Sequence, residues 1–451
     1  MKKKLFIILG VLVLSTSLLL SFTLKKEDNI NKKGISKVEK IFEKPAGVQA
    51  YTLNGEKTDL LYDALINGYE INSITCRNGT IATYNKTDNS INLSNIHMPD
   101  YCTMDFKGKE ITIYDKLLAD NPTLSARFNF GIFTDDTTGT LFMATESIAG
   151  STAKDVYYYA GNTTNNWIYF GEYYWRIIRT NHDESIRLLY VGTSPDTTQA
   201  YIGKSAYWNN DKSPRFVGYM YGTGGINETL SSIRANTTDS HLKEYIENWY
   251  DGTRTRTNTA YQKEYTDPTD PSSNKLIDYS DYLSLEAVYC NDRSAPSYNL
   301  TEIFYFGSAN RTSPTYDCES EEDAFSVLNE SAQLKYPIGL MTADEIKFAG
   351  GSGGAWYGLN SLGEGVIDFY WWLMSPYRWY YFSNWGDTSK NALSYRVLSS
   401  ANLSSDNSAG TLSYTNVNSG SAVRPVISIK GDTLWSKGDG SPENPYEIVY
   451  N

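Results

Sequence analysis

Hydrophobic positions are distributed along this chain in three different ways. At the start, MKKKLFIILGVLVLSTSLLLSFTL sets three lysines before an uncharged run from Leu5 to Leu24. About twenty such residues in a helix span roughly 30 Å, the hydrocarbon thickness of a bilayer. The run therefore predicts a transmembrane helix at 5–24, a signal anchor, with residues 1–4 cytoplasmic. A cleaved signal would have a shorter apolar region and a small-x-small exit, which only Ser21-Phe22-Thr23 approaches. Cleavage, with release of the protein, is the alternative. Residues 25–46 are rich in Lys, Glu and Asn without any period, as expected of a stalk.

From residue 47 to 150 the pattern becomes short alternation. EINSITCRNGTIATYNK, SINLSNI and YCTMDFKGKEITIYD read as strands, with Asn78-Gly79 as a turn signal. Helix-like stretches, TDLLYDALING and ITIYDKLLADN, precede and close this small β-rich module. A larger body follows over 151–451. In NNWIYFGEYYWRIIRTNHDESIRLLYVG, apolar residues mark both faces of two strands, and Asn181-His182-Asp183-Glu184 turns the chain between them. A hairpin apolar on both faces belongs in the middle of a sheet. Leu242, Tyr245, Ile246 and Trp249 then form a helical stripe that starts at Asp239 or Ser240 and stops at Gly252. In TADEIKFAGG, Thr342 and Glu345 have the spacing of a capping box, and Gly350-Gly351 end the helix. The fold class expected is therefore α+β and β-rich.

Composition places this architecture outside a cell. The formal net charge is −12, which disfavours nucleic acid because phosphate recognition needs clustered Lys and Arg. Three isolated histidines, His97, His182 and His241, leave no pattern for a His-rich metal site or a histidine-based catalytic pair. On its turn His182 is expected to be solvated. No cofactor, metal ligand set or catalytic residue emerges. Four cysteines lack any C-x-x-C spacing, which argues against zinc and redox motifs. Of three possible pairings, Cys76 with Cys102 and Cys290 with Cys318 keeps each bridge inside its own module. Disulfides fit an extracellular site, as does an N-terminal membrane partner.

From Val156 to the C-terminus, the series NNWIYFGEYYWRIIRTNHDESIRLLYVG, YCNDRS, YPIGLMTADEIKFAGG, WWLMSP, AVRPVISI and GDGSPENPYEI resembles a family of surface proteins of gut-type Gram-positive bacteria. That half is similar, more distantly, to the C-type-lectin-like fold of formylglycine-generating enzymes and bacterial variable surface receptors. The resemblance implies a lectin-like α+β domain in which WWLMSP and VRP bracket a variable loop region. It carries over no catalytic residue: the triplets of a calcium-dependent sugar site are missing, and Cys290 and Cys318 lie far from the late strands.

The densest aromatic stretch, FYWWLMSPYRWYYFSNWG, divides at Pro376. Before it, Trp371, Trp372, Leu373 and Met374 read as a strand buried on both faces. Arg424, next to Pro425, is expected to pair inside the fold. After Pro376 alternation is lost, and rings mix with side chains able to hydrogen-bond hydroxyls, which is what a sugar platform needs. Trp379, Tyr381 and Trp385, with Arg378, Asn384 and Asp387, are the expected ligand-binding residues on a loop. A second aromatic core layer is the competing reading. The function expected is adhesion or binding of a glycan or surface protein or polymer, with no catalysis evident. A glycan-acting enzyme and a structural fibre subunit are the alternatives.

Overall fold

A computed structural model of the chain describes residues 4–8, 35–38, 50–51, 57–58, 69–85, 90–97, 100–108, 110–197, 200–209, 212, 214–222, 229–253, 276–295, 304–351, 356–358, 370–384, 387–398 and 410–450. The chain divides into two compact units, Met1–Glu110 and Ile111–Asn451. It is β-rich with few helices and two disulfides, as the alternating pattern requires.

In the first unit Tyr101–Gly108 pairs with Tyr69–Cys76 on one side and with Lys4–Ile8 on the other. Cys76 and Cys102 stand opposite each other in that register and form a disulfide. The turn after Cys76 is tied by Asp100, which accepts from the backbone N–H of Asn78 and Thr80 at 2.7 and 2.9 Å. Gly79 takes a left-handed φ of 94° there, the conformation for which an Asn-Gly pair is suited. Lys4–Ile8 is strand; residues 9–24, most of the expected transmembrane helix, lie outside the described residues. Ile35–Val38, within the stretch read as stalk, pairs with Ser90–Ser94. The helix expected in TDLLYDALING lies outside the described residues. Among the described residues no helix is long and apolar enough to cross a membrane.

The second unit contains helix α1 (Ile113–Asp120) and strands β1 (Thr123–Ser125), β2 (Thr140–Glu146), β3 (Lys154–Tyr158), β4 (Trp167–Phe170), β5 (Tyr173–Thr180) and β6 (Ile186–Gly192). After β7 (Gly203–Tyr207) come α2 (His241–Tyr250), β8 (Phe304–Tyr305), β9 (Ile338–Leu340) and α3 (Ala343–Ala349). The last strands are β10 (Tyr370–Asn384), β11 (Asp387–Leu398), β12 (Leu412–Asn416), β13 (Gly420–Val423) and β14 (Pro425–Ile429). Residues 111–150, read from the sequence with the small module, are grouped here with the second unit. The physical reason is backbone pairing: Ile113 N–H donates to Thr433 O at 2.7 Å, Trp435 N–H donates to Ile111 O at 2.9 Å, and β1 and β2 extend the large sheet.

That sheet runs β9-β14-β6-β5-β3-β2-β1, with β4 also on β5. The β5–β6 hairpin is central, and every residue of β6 is buried, as apolar residues on both faces imply. A second sheet runs β7-β13-β10-β11-β12, with β8 also on β10. One core joins them: Trp175, Trp208, Trp249, Trp356, Trp372 and Trp379 are all below 2% exposed. The stripe Leu242, Tyr245, Ile246 and Trp249 of α2 is buried in it, with Ser240 as cap. Helix α3 carries the full capping box of Thr342 and Glu345. It ends at Gly350, whose φ is 96° and where a Cβ would lie 2.7 Å from Phe133 O, so only glycine fits. The second disulfide, Cys290–Cys318, closes a separation of 28 residues, worth roughly 3–4 kcal/mol on the loop-entropy account.

Candidate functional site

The aromatic run continues as strand beyond Pro376. β10 pairs with β11 down to Asn384↔Asp387, so the loop expected for this stretch is a β-hairpin. The missing alternation has a specific origin. Pro376 faces Ser394 and Arg378 faces Leu393, which leaves Tyr377 as an extra residue. Proline donates no ladder hydrogen bond, and a β-bulge of this kind lets consecutive side chains serve one face. Trp379 returns to the other face and is 0% exposed beside buried Ala392, its pairing partner.

The bulge brings four tyrosines around one arginine. The ring of Tyr377 stacks on Tyr414 of β12 at 3.9 Å and 13°. It meets Tyr305 of β8 edge-on at 5.5 Å and Tyr395 of β11 at 4.9 Å. The Arg378 guanidinium lies 5.1 Å from the Tyr414 ring centroid, 5.2 Å from Tyr380, 5.5 Å from Tyr377 and 5.9 Å from Tyr305. Tyr414 is 41% exposed, and Arg378, Tyr377, Tyr380 and Tyr305 are half-buried. Burial, with Tyr414 beside it, pushes the Tyr377 hydroxyl up to about 12, so it remains a neutral donor at physiological pH. Arg378 differs from the buried Arg293 and Arg424. Arg293 is saturated by Asp323 and backbone carbonyls, and Arg424 by Tyr190 O and Gly358 O, as expected for Arg424 from its strand. Among the described residues Arg378 has no carboxylate partner. It has one hydrogen bond, from Nη1 to Tyr305 Oη at 3.4 Å, and its buried Nε has no acceptor.

Strand β12 also borders a cleft. Leu412, two residues from Tyr414 and so on the same face of the strand, lines a cleft of about 440 Å³ with Phe128, Asn129, Thr312, Ser313 and Lys347. Phe128 is 93% exposed. Rings, hydroxyls, an amide and cations thus occur along one stretch of surface.

The other charged cluster of this unit is internal. Glu345 Oε1 accepts from Arg179 Nε at 3.0 Å and lies 2.6 Å from Arg187 Nε, and its Oε2 accepts from Thr342 N–H at 2.9 Å. Arg179 Nη2 reaches Glu146 at 2.8 Å, and Glu146 Oε2 accepts the backbone N–H of His182 at 2.6 Å and meets its Nδ1 at 3.1 Å. Arg311 bridges Asp292 and Asp344. The space enclosed is about 20 Å³, too little for a substrate, so this is a packed ionic core. His182, expected to be solvated, is instead tied to Glu146. Among the described residues no group of His, Cys, Asp and Glu is placed to hold a metal ion.

The Glu146–His182 pair sets a pH optimum for stability. Burial raises the Glu146 carboxyl, but Arg179 and His182 outweigh it and hold the group at about 2, below its ordinary 4.5. Burial lowers the His182 imidazole, and the bond to Glu146 outweighs that and leaves it above 6.5. A depressed carboxylate stabilises fully above its unfolded value and loses that contribution, roughly 3 kcal/mol, as pH falls toward 2. A raised histidine stabilises below its unfolded value and loses the contribution as pH rises through its folded one. The urea midpoint is therefore expected to peak at about pH 5–6.5. Glu146→Gln should flatten the acid limb; an unchanged acid limb would contradict the pairing.

Of the residues expected at the site, Arg378 is at the centre of the tyrosine cluster. Trp379 is core, because the bulge shifts the phase of the strand by one residue and turns it inward. Tyr381, Asn384 and Asp387 belong to the distal β10–β11 pairing, and Trp385 lies outside the described residues. Tyr305, Tyr377, Tyr380 and Tyr414 were missed. The available signal was Pro376 inside a strand-like run, since proline within a strand marks a bulge or an edge. Compared with known proteins, the chain matches no protein family, no curated protein and no solved structure.

Proposed function

We propose that the protein is a binding protein of the cell surface that holds a glycan on the tyrosine–arginine face of the second unit and in the adjoining cleft. The observation that carries this reading is the Tyr377–Tyr414 stack beside Arg378, with the Tyr414 side exposed. Flat rings cover the apolar face of a sugar, and hydroxyls and a guanidinium at their edges bond its hydroxyls. The rings are already packed against one another, so little side-chain freedom is lost when a ligand arrives. Two disulfides agree with an extracellular setting. The lectin-like assignment of the second unit is part of this proposal, supported by the motif series and the β-rich α+β architecture.

Membrane attachment is likewise proposed, on the hydropathy of residues 5–24. It requires Lys4–Ile8 to exchange its strand pairing for helix.

The test is a glycan array probed with the detergent-solubilised full chain and with its Tyr414→Ala variant. Binding that falls about tenfold in the variant supports the reading; a ring stacked on a ligand typically contributes about that much. Binding that is equal in the two proteins places the ligand elsewhere.

A further inference from the structure

Every well-buried arginine described above is neutralised or saturated from within the protein. Arg179 and Arg187 share Glu345, Arg293 has Asp323, and Arg424 has three bonds to carbonyl oxygens. Even half-buried Arg311 has two carboxylates. Among the described residues Arg378 has a single hydrogen bond, of 3.4 Å to a phenol, and no carboxylate. The buried Nε is not what sets Arg378 apart, since those of Arg187 and Arg311 also lack an acceptor. The difference is the carboxylate partner, and the Nη1–Nη2 edge of a guanidinium can take a carboxylate through two parallel hydrogen bonds.

We infer that the glycan held at this face is acidic: the site takes a uronic or sialic acid residue whose carboxylate is bound by Arg378 while its ring lies on Tyr414. The inference rests on the glycan-binding reading above and names the ligand class of that same site.

The charge pattern selects a carboxylate over a phosphate or sulfate polymer. The protein carries a formal net charge of −12. Polyanions of high charge density are held by several clustered cations, and the tyrosine cluster offers one. A single, partly desolvated guanidinium ringed by phenols suits a monovalent anion. The rings exclude water from the pair and so strengthen it. The bulge at Tyr377–Arg378 has a purpose in this account, because without it the arginine and the stacked ring would point to opposite faces.

The experiment compares binding of the full chain to polygalacturonate, alginate and polysialate, each against its methyl-esterified form. Esterification removes the charge and leaves the hydroxyls and ring faces. At least one acid is expected to bind about ten- to a hundredfold more tightly than its ester, the range of a lost charged hydrogen bond. Arg378→Gln should erase that difference, Arg378→Lys should restore it only in part, and Tyr414→Ala should weaken acid and ester alike. Raised salt should weaken the acid selectively. If acid and ester bind equally, the carboxylate inference is overturned and the glycan reading stands. The same holds if none of these polymers binds while a neutral glycan does. If no glycan of either kind binds, both fall together. Thermal melting of each variant, expected to stay within a few degrees of the unmodified chain because Arg378 is only half-buried and Tyr414 is exposed, confirms that any loss is one of binding.

Discussion

Glu345→Gln should destabilise the second unit by about 3–5 kcal/mol, a fall in melting temperature of roughly 4–7 °C. The side chain is 1% exposed and touches three elements at once: Arg179 on β5, Arg187 on β6 and the Thr342 cap of α3. Glutamine preserves the shape and can still serve the capping box. What it removes is one negative charge, which leaves the fully buried Arg187 with neutral acceptors alone, among them Val288 O and Leu340 O. An uncompensated buried guanidinium is far more costly than a lost helix cap. Thr342→Ala, which removes only the cap, should cost about 1 kcal/mol. The contrast decides the mechanism. Equal losses in the two variants would mean that α3 is held by its cap alone and that the ionic core contributes little. A double replacement, Glu345→Leu with Arg187→Met, should recover much of the loss, because buried ion pairs are often matched by apolar residues of similar volume.

Sequence periodicity reported well on what local chemistry controls. The capping box of α3, the α2 stripe and the β5–β6 hairpin are each written in a few neighbouring residues, and each is present. The pairing of Cys76 with Cys102 follows from strands that place them opposite each other. What failed depends on partners distant in the chain. The 110/111 boundary is set by bonds between residues 111–113 and 433–435, which no window of sequence contains. Glu345 reads as a capping residue because that half of its role is local; its arginines lie more than 150 positions away. The tie of His182 to Glu146, where a solvated side chain was expected, was also missed for this reason, since Glu146 is 36 residues upstream.

Of the tyrosine–arginine cluster, Arg378 alone was among the residues expected from the sequence. The gathering of rings after Pro376 and the presence of Arg378 among them are visible in the sequence. Which rings face out is not, because one extra residue in a strand inverts the assignment of every residue beyond it. Tyr305 and Tyr414 join the cluster through the β8–β10 and β11–β12 pairings, and neither pairing has a local signature.

The same inversion yields the second large effect. Trp379→Ala should cost about 3–5 kcal/mol of stability, as much as Trp372→Ala, while Tyr414→Ala should cost about 1 kcal/mol or less. Trp379 is 0% exposed and belongs to the core shared by the two sheets. Trp372 is 1% exposed, donates its indole N–H to Ala206 O at 2.7 Å and meets the Trp208 ring at 6.0 Å. Truncating either ring opens a cavity that the surrounding sheets can only partly close. Tyr414 has solvent over 41% of its surface, so its loss removes a stacking partner and leaves the core intact. Melting curves of the three variants, recorded beside their glycan binding, separate the two faces of β10. Stability should fall sharply for both tryptophans and binding should fall selectively for the tyrosine. If Trp379→Ala melts like the unmodified protein and loses its ligand, the bulge at Tyr377 is misplaced and the ligand-bearing face of the strand is the opposite one.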